Sequence, residues 1–215
     1  SAYATAREAA FDNYLLGTPN RTRKVALFEG TDEFGRLQPL LGTAEPATDY
    51  LGNPINWPNK PEYVNAGLTG QMAGAIAWHS PTTENPNLGD TELWEVYNVT
   101  GDSHPVHLHL VHFEVVGRKA IKWDSNADPD GFIPAGSTPA NNGTYLELQP
   151  VVQHNKLLGS GFKVVNATYE GNYVNPGSEY VDSNLPKDMV TARPGEVTFI
   201  KAKFDKPGRY VWHCH

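Results

Sequence analysis

Apolar and polar positions alternate with a period of two in several short stretches of this chain, the signature of half-buried strands. The pattern predicts strands over Arg23–Glu29, Ala73–His79 and Leu93–Val99, and over the histidine-rich run that follows the turn Thr100-Gly101-Asp102. Val111–Lys119 continues or pairs with that run. Glu196–Phe204 and Arg209–Cys214, separated by the turn Asp205-Lys206-Pro207-Gly208, predict a final hairpin. Helical periodicity is confined to one place. Phe11, Tyr14 and Leu15 fall at helical spacing within Ala4–Leu16, with Gly17 as a stop and Pro19 beyond it, which predicts a short helix. Residues 42–66 are rich in Pro, Asn and Gly and read as loop. Residues 122–180 hold many Asn, Gly, Pro and Ser among scattered aromatics, and read as a long, partly structured insertion.

The strand pattern gives the last three residues their meaning. Side chains on a strand alternate between faces, so in His213-Cys214-His215 the two imidazoles point one way and the single cysteine of the chain the other. A thiolate is a soft ligand and imidazole an intermediate one, a combination that suits copper among the first-row metals. One short segment can therefore serve two metal sites, although a thiol between two surface histidines would look the same. The second cluster alters that balance. His104, His107, His109 and His112 fall within nine positions, and six of the eight histidines of the chain lie in these two segments. His107 and His109 share a strand face, and neutral imidazole is the commonest side-chain metal ligand.

His104-Pro105-x-His107-x-His109, followed about a hundred residues later by Tyr210-x-x-His213-Cys214-His215, resembles the C-terminal domain of the multicopper oxidases. The likeness is greatest to the branch of bacterial spore-coat laccases, bilirubin oxidase and phenoxazinone synthase. Thr31-Asp32-Glu33-Phe34-Gly35-Arg36, Glu92-Leu93-Trp94-Glu95-Val96-Tyr97-Asn98 and Pro194-Gly195-Glu196-Val197-Thr198 add to it. The resemblance covers roughly residues 20–215 and implies an all-β, cupredoxin-like Greek-key β-sandwich. Residues 1–20 would be a linker with the short helix, and 21–215 the last cupredoxin domain, with the insertion at about 122–180. It also implies roles. His104 and Cys214 would bind the blue type 1 copper, His107 the type 2 copper, and His109, His213 and His215 the type 3 pair. Electrons from a phenol, aryl amine or tetrapyrrole would enter at type 1 and pass through Cys214 and its flanking histidines, and dioxygen would be reduced to water. The complete enzyme would hold four copper ions, and an extracellular, periplasmic or spore-coat location is suspected from the family.

Departures from the family pattern set a second expectation. The pattern continues past His-Cys-His to another histidine and an axial methionine or leucine, whereas this sequence ends at His215. The two His-x-His motifs of an N-terminal domain are absent too, and no histidine precedes His79. The chain is thus expected to be a piece of a longer polypeptide and inactive alone, its partners being the remaining N-terminal cupredoxin domains, a small aromatic reductant and dioxygen.

Composition narrows the classes. A hydrophobic content of 39% allows a core, while 20 Gly and 17 Pro point to many turns. A net charge of −7 argues against nucleic acid as a partner, and no apolar run approaches the roughly 18 residues of a membrane span. The main rival is a cupin: Gly101, His107, His109 and Glu114 nearly reproduce the first cupin motif, but its closing glycine would fall at Ile121 and no second motif follows. A three-histidine zinc site is a further option, but the downstream Asp-His of the metallo-β-lactamase type is lacking. His112, on the face opposite His107 and His109, reads as a packed or rim residue, and the isolated His79 and His154 do not read as ligands. Met72 and Met189 read as core, and Asp188 as either an orienting carboxylate or a solvated loop charge. Sequons stand at Asn20, Asn98, Asn142 and Asn166.

Overall fold

The computed structural model describes residues 17–154, 156–174 and 186–215. The expected helix at Ala4–Leu16 lies outside them. The described residues divide into two compact units, 17–23, 86–121, 170–174 and 186–215 forming the first and 24–85, 122–154 and 156–169 the second. Nearly all regular structure is β, and no helix among the described residues is long and apolar enough to cross a membrane.

The first unit holds two facing sheets. One has the order β4 (Thr91–Asn98), β11 (Glu196–Lys203), β6 (Phe113–Ile121), β9 (Tyr169–Tyr173). The other is three-stranded, with β5 (His104–Leu108) between β10 (Met189–Ala192) and β12 (Trp212–Cys214). Every residue of β4 is buried, in keeping with a sheet covered on both faces. Trp94 of β4 stacks on Phe204 with ring centroids 5.9 Å apart and meets Trp212 of β12 edge-on at 6.0 Å. Its indole N–H donates to Glu92 Oε2 at 3.0 Å, and the same carboxylate takes a bidentate pair from Arg23, at 2.6 and 3.0 Å. Polar ties also cross between the sheets. Asn98 Nδ2 donates to the carbonyl of Ala192 at 3.1 Å, and Arg118 Nη2 to that of Thr191 at 3.0 Å. These bonds satisfy polar groups that burial would otherwise leave costly.

The second unit contains β1 (Arg21–Asp32, from Lys24 onward), β2 (Leu37–Thr43), β3 (Gly74–Ile76), β7 (Tyr145–Gln153), β8 (Lys156–Val165) and the short helix α1 (Pro61–Asn65). The Asp32 carboxylate closes the β1–β2 hairpin by accepting from Phe34 N and Arg36 N, both at 2.9 Å, with Gly35 in the left-handed region. Those bonds and Arg36 hold its carboxyl below the usual carboxylate range. Ala47, Trp57, Tyr63, Leu68, Met72 and Val152 form a core cluster. Residues 122–180, read as a partly structured insertion, carry β7, β8 and β9.

Two expected connections differ. Glu196–Phe204 and Arg209–Cys214 are not a hairpin: β11 lies between β4 and β6, whereas β12 pairs with β5. The segment through Pro207 and Gly208 (φ 147°) carries the chain from one sheet to the other. Val111–Lys119 neither continues nor pairs with the histidine strand, because Leu110 adopts a left-handed φ of 66° and turns the chain, so that β6 joins β11.

Candidate metal centre

Strand alternation sorts the ligand candidates onto two faces. Along β5, His104, Val106 and Leu108 are buried, while Pro105 and His107 are half-buried and His109 just beyond is exposed. Strand β12 pairs antiparallel with β5 in the register Trp212–Leu108, His213–His107 and Cys214–Val106. The ladder extends at both ends, with His109 N donating to Val211 O at 2.9 Å and His215 N to Pro105 O at 3.1 Å. Directly opposed residues share a face, so His213 falls beside His107, and Cys214 beside Val106 on the side of His104.

Four imidazoles gather on the outer face. Ring centroids lie 4.7 Å apart for His107–His109, 5.3 Å for His107–His213, 5.7 Å for His107–His215 and 4.7 Å for His213–His215. His109 Nε2 and His213 Nε2 are 3.0 Å apart, and ligand nitrogens of His107, His109 and His213 all lie within 4.8 Å of one another. Desolvation, then repulsion from His107, His213 and His215, lowers the pKa of His109. The shift favours the neutral ring, the form whose lone pair can ligate a metal. On the inner face, Cys214 Sγ is 3.4 Å from His104 Nδ1. Burial raises the pKa of the Cys214 thiol, an effect that a coordinated cation reverses.

These spacings can be tested against a metal. Metal–nitrogen bonds of 2.0–2.1 Å and metal–sulfur bonds near 2.3 Å, meeting at a tetrahedral angle, separate two nitrogens by about 3.3 Å and a nitrogen from a sulfur by about 3.6 Å. The observed 3.0 and 3.4 Å are close to those values. The donor set, imidazoles on one face and a thiol with an imidazole on the other, suits copper chemically.

The remaining candidates lie elsewhere. His112 is exposed in the turn after His109. His79 and His154 belong to the second unit, where their rings stand 4.4 Å apart. Met72 is core, as expected, but Met189 is 45% exposed, because it opposes His107 on the outer face of β10. It therefore lies on the imidazole side of the strand and not beside Cys214. The Asp188 side chain is exposed, and its backbone carbonyl accepts Leu108 N at 3.0 Å. Glu114 sits on β6 in the other sheet, buried against Lys201 at 3.4 Å, so the cupin arrangement is absent. Two buried residues escaped the sequence reading: Thr100, with Oγ1 at 2.8 Å from His104 Nε2, and Asn98 behind it. Their one sequence signal was the Asn98-Val99-Thr100 sequon, which marks a buried network here.

A family model described as multicopper oxidase matches residues 53–138 and 157–215, more than half of the sequence. The chain belongs to the multicopper oxidase family. It is 56% identical over 158 residues to multicopper oxidase LPR1 homolog 5 of Oryza sativa subsp. japonica, covering 71% of this chain and 22% of that protein. With the laccase of Bacillus subtilis (strain 168) the identity is 34% over 139 residues, covering 64% and 20%. Among solved structures, the McoA multicopper oxidase of Aquifex aeolicus aligns with 90% of this chain and 25% of its own at 17% identity, with a TM-score of 0.33. The chain spans only about a fifth to a quarter of the length of these relatives. The described residues form the all-β class that the motifs implied, and the family is the one to which those motifs pointed.

Proposed function

We propose that this chain supplies the C-terminal share of the copper centres of a laccase-like oxidase, as the last cupredoxin domain of a longer polypeptide. His104 and Cys214 hold a type 1 copper, His107 a type 2 copper, and His109, His213 and His215 the type 3 pair. The observation that carries this reading is the opposition of faces on β12. Cys214 Sγ meets His104 at 3.4 Å on one side, while His213 and His215 stand among His107 and His109 on the other. When bound, copper supplies one-electron redox chemistry beside Cys214 and dioxygen reduction at the imidazole cluster.

The residues of the chain do the rest. Pairing of β12 with β5 fixes both ligand sets in one register, so the two sites cannot slip relative to each other. Covalent continuity through His213-Cys214-His215 provides a short bonded route between them. Trp212, held edge-on by Trp94, packs the inner side of the same strand. The remaining ligands come from other parts of the polypeptide, including N-terminal cupredoxin domains. The electron donors are phenols, aryl amines or tetrapyrroles, and dioxygen is the acceptor.

The test is to load the full-length protein with copper and follow phenol oxidation together with dioxygen uptake and peroxide release. Uptake coupled to oxidation without peroxide supports the reading. Oxidation that leaves dioxygen untouched, or that releases it as peroxide, contradicts it.

A further inference from the structure

We infer that Asn98 and Thr100 are positioning residues that lock His104 in one tautomer and one orientation, with Nδ1 presented to the metal beside Cys214. This inference rests on the copper-site reading of His104 and Cys214 and adds to it the device that prepares the ring.

The proton positions follow from groups that have no choice. Thr100 N, which can only donate, points to Asn98 Oδ1 at 3.0 Å. The opposite end of that amide, Nδ2, faces the carbonyls of Asp102 at 2.7 Å and Ala192 at 3.1 Å, which can only accept. The Asn98 side chain is therefore fixed with its oxygen towards Thr100. The Thr100 hydroxyl oxygen lies 2.8 Å from Asn98 Oδ1 and 3.1 Å from Asp102 O, both acceptors, and receives Asp102 N at 3.2 Å.

A hydroxyl has one hydrogen. If Thr100 gave it to His104 Nε2, two acceptor oxygens would press against a hydroxyl oxygen with no proton to offer them. If the hydrogen goes to Asn98 Oδ1 instead, His104 must donate Nε2–H to Thr100 Oγ1 across their 2.8 Å contact. That assignment leaves only Asp102 O, which already accepts Asn98 Nδ2 at 2.7 Å, without the hydroxyl hydrogen, and it directs the Nδ1 lone pair at Cys214 Sγ, 3.4 Å away. In the other tautomer Nε2 would take the Thr100 hydrogen, leaving Thr100 Oγ1 and Asn98 Oδ1 2.8 Å apart with no proton between them in a buried site. A hydrogen bond on the far nitrogen of a ligating imidazole is a general means of setting its orientation and basicity. Here Ala192, which receives the last bond of the relay, is the β-ladder partner of His104 itself. The relay thereby ties the ring to the same pair of strands that carries it.

The experiment compares wild type, Thr100→Val and Thr100→Ser in the full-length protein. In the metal-free state, long-range proton–nitrogen NMR reads the His104 tautomer. In the copper-loaded state, the visible thiolate band, the type 1 electron paramagnetic resonance signal and copper retention against a chelator are measured. The expected results are an Nε2–H ring in wild type, unchanged by Thr100→Ser. Thr100→Val should give a mixed tautomer, an altered type 1 signal and about 10- to 100-fold weaker copper retention at that site. A wild-type ring protonated at Nδ1 overturns the proposal, and that measurement needs no variant to fold. So does a Thr100→Val protein identical to wild type in all readouts, or a Thr100→Ser protein as impaired as Thr100→Val. A wild-type protein without copper beside Cys214 would sink the functional reading instead, and the tautomer measurement would still decide the relay.

Discussion

Removing the Glu92 carboxylate should destabilise the first unit severely. Arg23 and Glu92 are only 4% and 1% exposed, and their guanidinium–carboxylate pair is bidentate at 2.6 and 3.0 Å. In Glu92→Ala, a buried cation loses its carboxylate, a change that typically costs about 3–5 kcal/mol. The Trp94 indole N–H also loses its acceptor, a loss of about 1 kcal/mol for a neutral hydrogen bond that overlaps part of that range. In a chain of this length each kcal/mol lowers the melting temperature by about 2–4 °C, so a drop of roughly 6–20 °C is expected. Thermal unfolding followed by circular dichroism measures it, with indole fluorescence as a second probe because Trp94 contacts Trp212. The double variant Arg23→Met/Glu92→Leu should fall far less, since an apolar pair of similar volume often replaces a buried ion pair at little cost. A Glu92→Ala protein within about 1 kcal/mol of wild type would refute the reasoning, because it would mean that water reaches the guanidinium.

Three further outcomes follow from the site. The His109 imidazole of the metal-free protein should titrate below the ordinary histidine value of about 6.5, because desolvation and three neighbouring imidazoles oppose its charge. The unfolded chain then takes up that proton first, so this group stabilises the fold above the ordinary value and the contribution is lost as pH falls through the lowered one. An NMR midpoint at or above 6.5 contradicts this. His107→Ala should keep the blue band while slowing dioxygen reduction, since His107 lies across the strand from Cys214; a bleached variant would show that the faces are not separate. Met189→Leu should leave the visible band unmoved, as its side chain opposes His107 on the outer face, and a shifted band would assign the thioether to the cysteine side.

The two faces of the candidate ligands were legible because they depend on a local rule. Period-two alternation along His104–His109 and His213–His215 fixes which side chains share a side, whatever the strands pair with. Partnership is a different matter. Glu196–Phe204 and Arg209–Cys214 read as a hairpin because the intervening Pro207-Gly208 turn looks like one, yet the choice of sheet depends on contacts with β4, β6 and β5, far away in sequence. Thr100 was hidden for a similar reason. A threonine before Gly101 and Asp102 is ordinary turn chemistry, and only folding brings its hydroxyl to His104. Met189 looked like core because it is apolar, but its position opposite His107 puts it on the outer face. His79 and His154 are distant in sequence, and nothing local signals that their rings come within 4.4 Å.

The central claim is that one three-residue segment serves two copper sites from opposite faces. Cys214→Ser in the copper-loaded full-length protein tests it most directly, with the visible spectrum, electron paramagnetic resonance and copper content measured together. The account predicts loss of the thiolate band and of the type 1 signal, while most copper at the imidazole cluster remains because His107, His109, His213 and His215 are untouched. A variant that stays blue, or one that loses the imidazole copper along with the band, would contradict it.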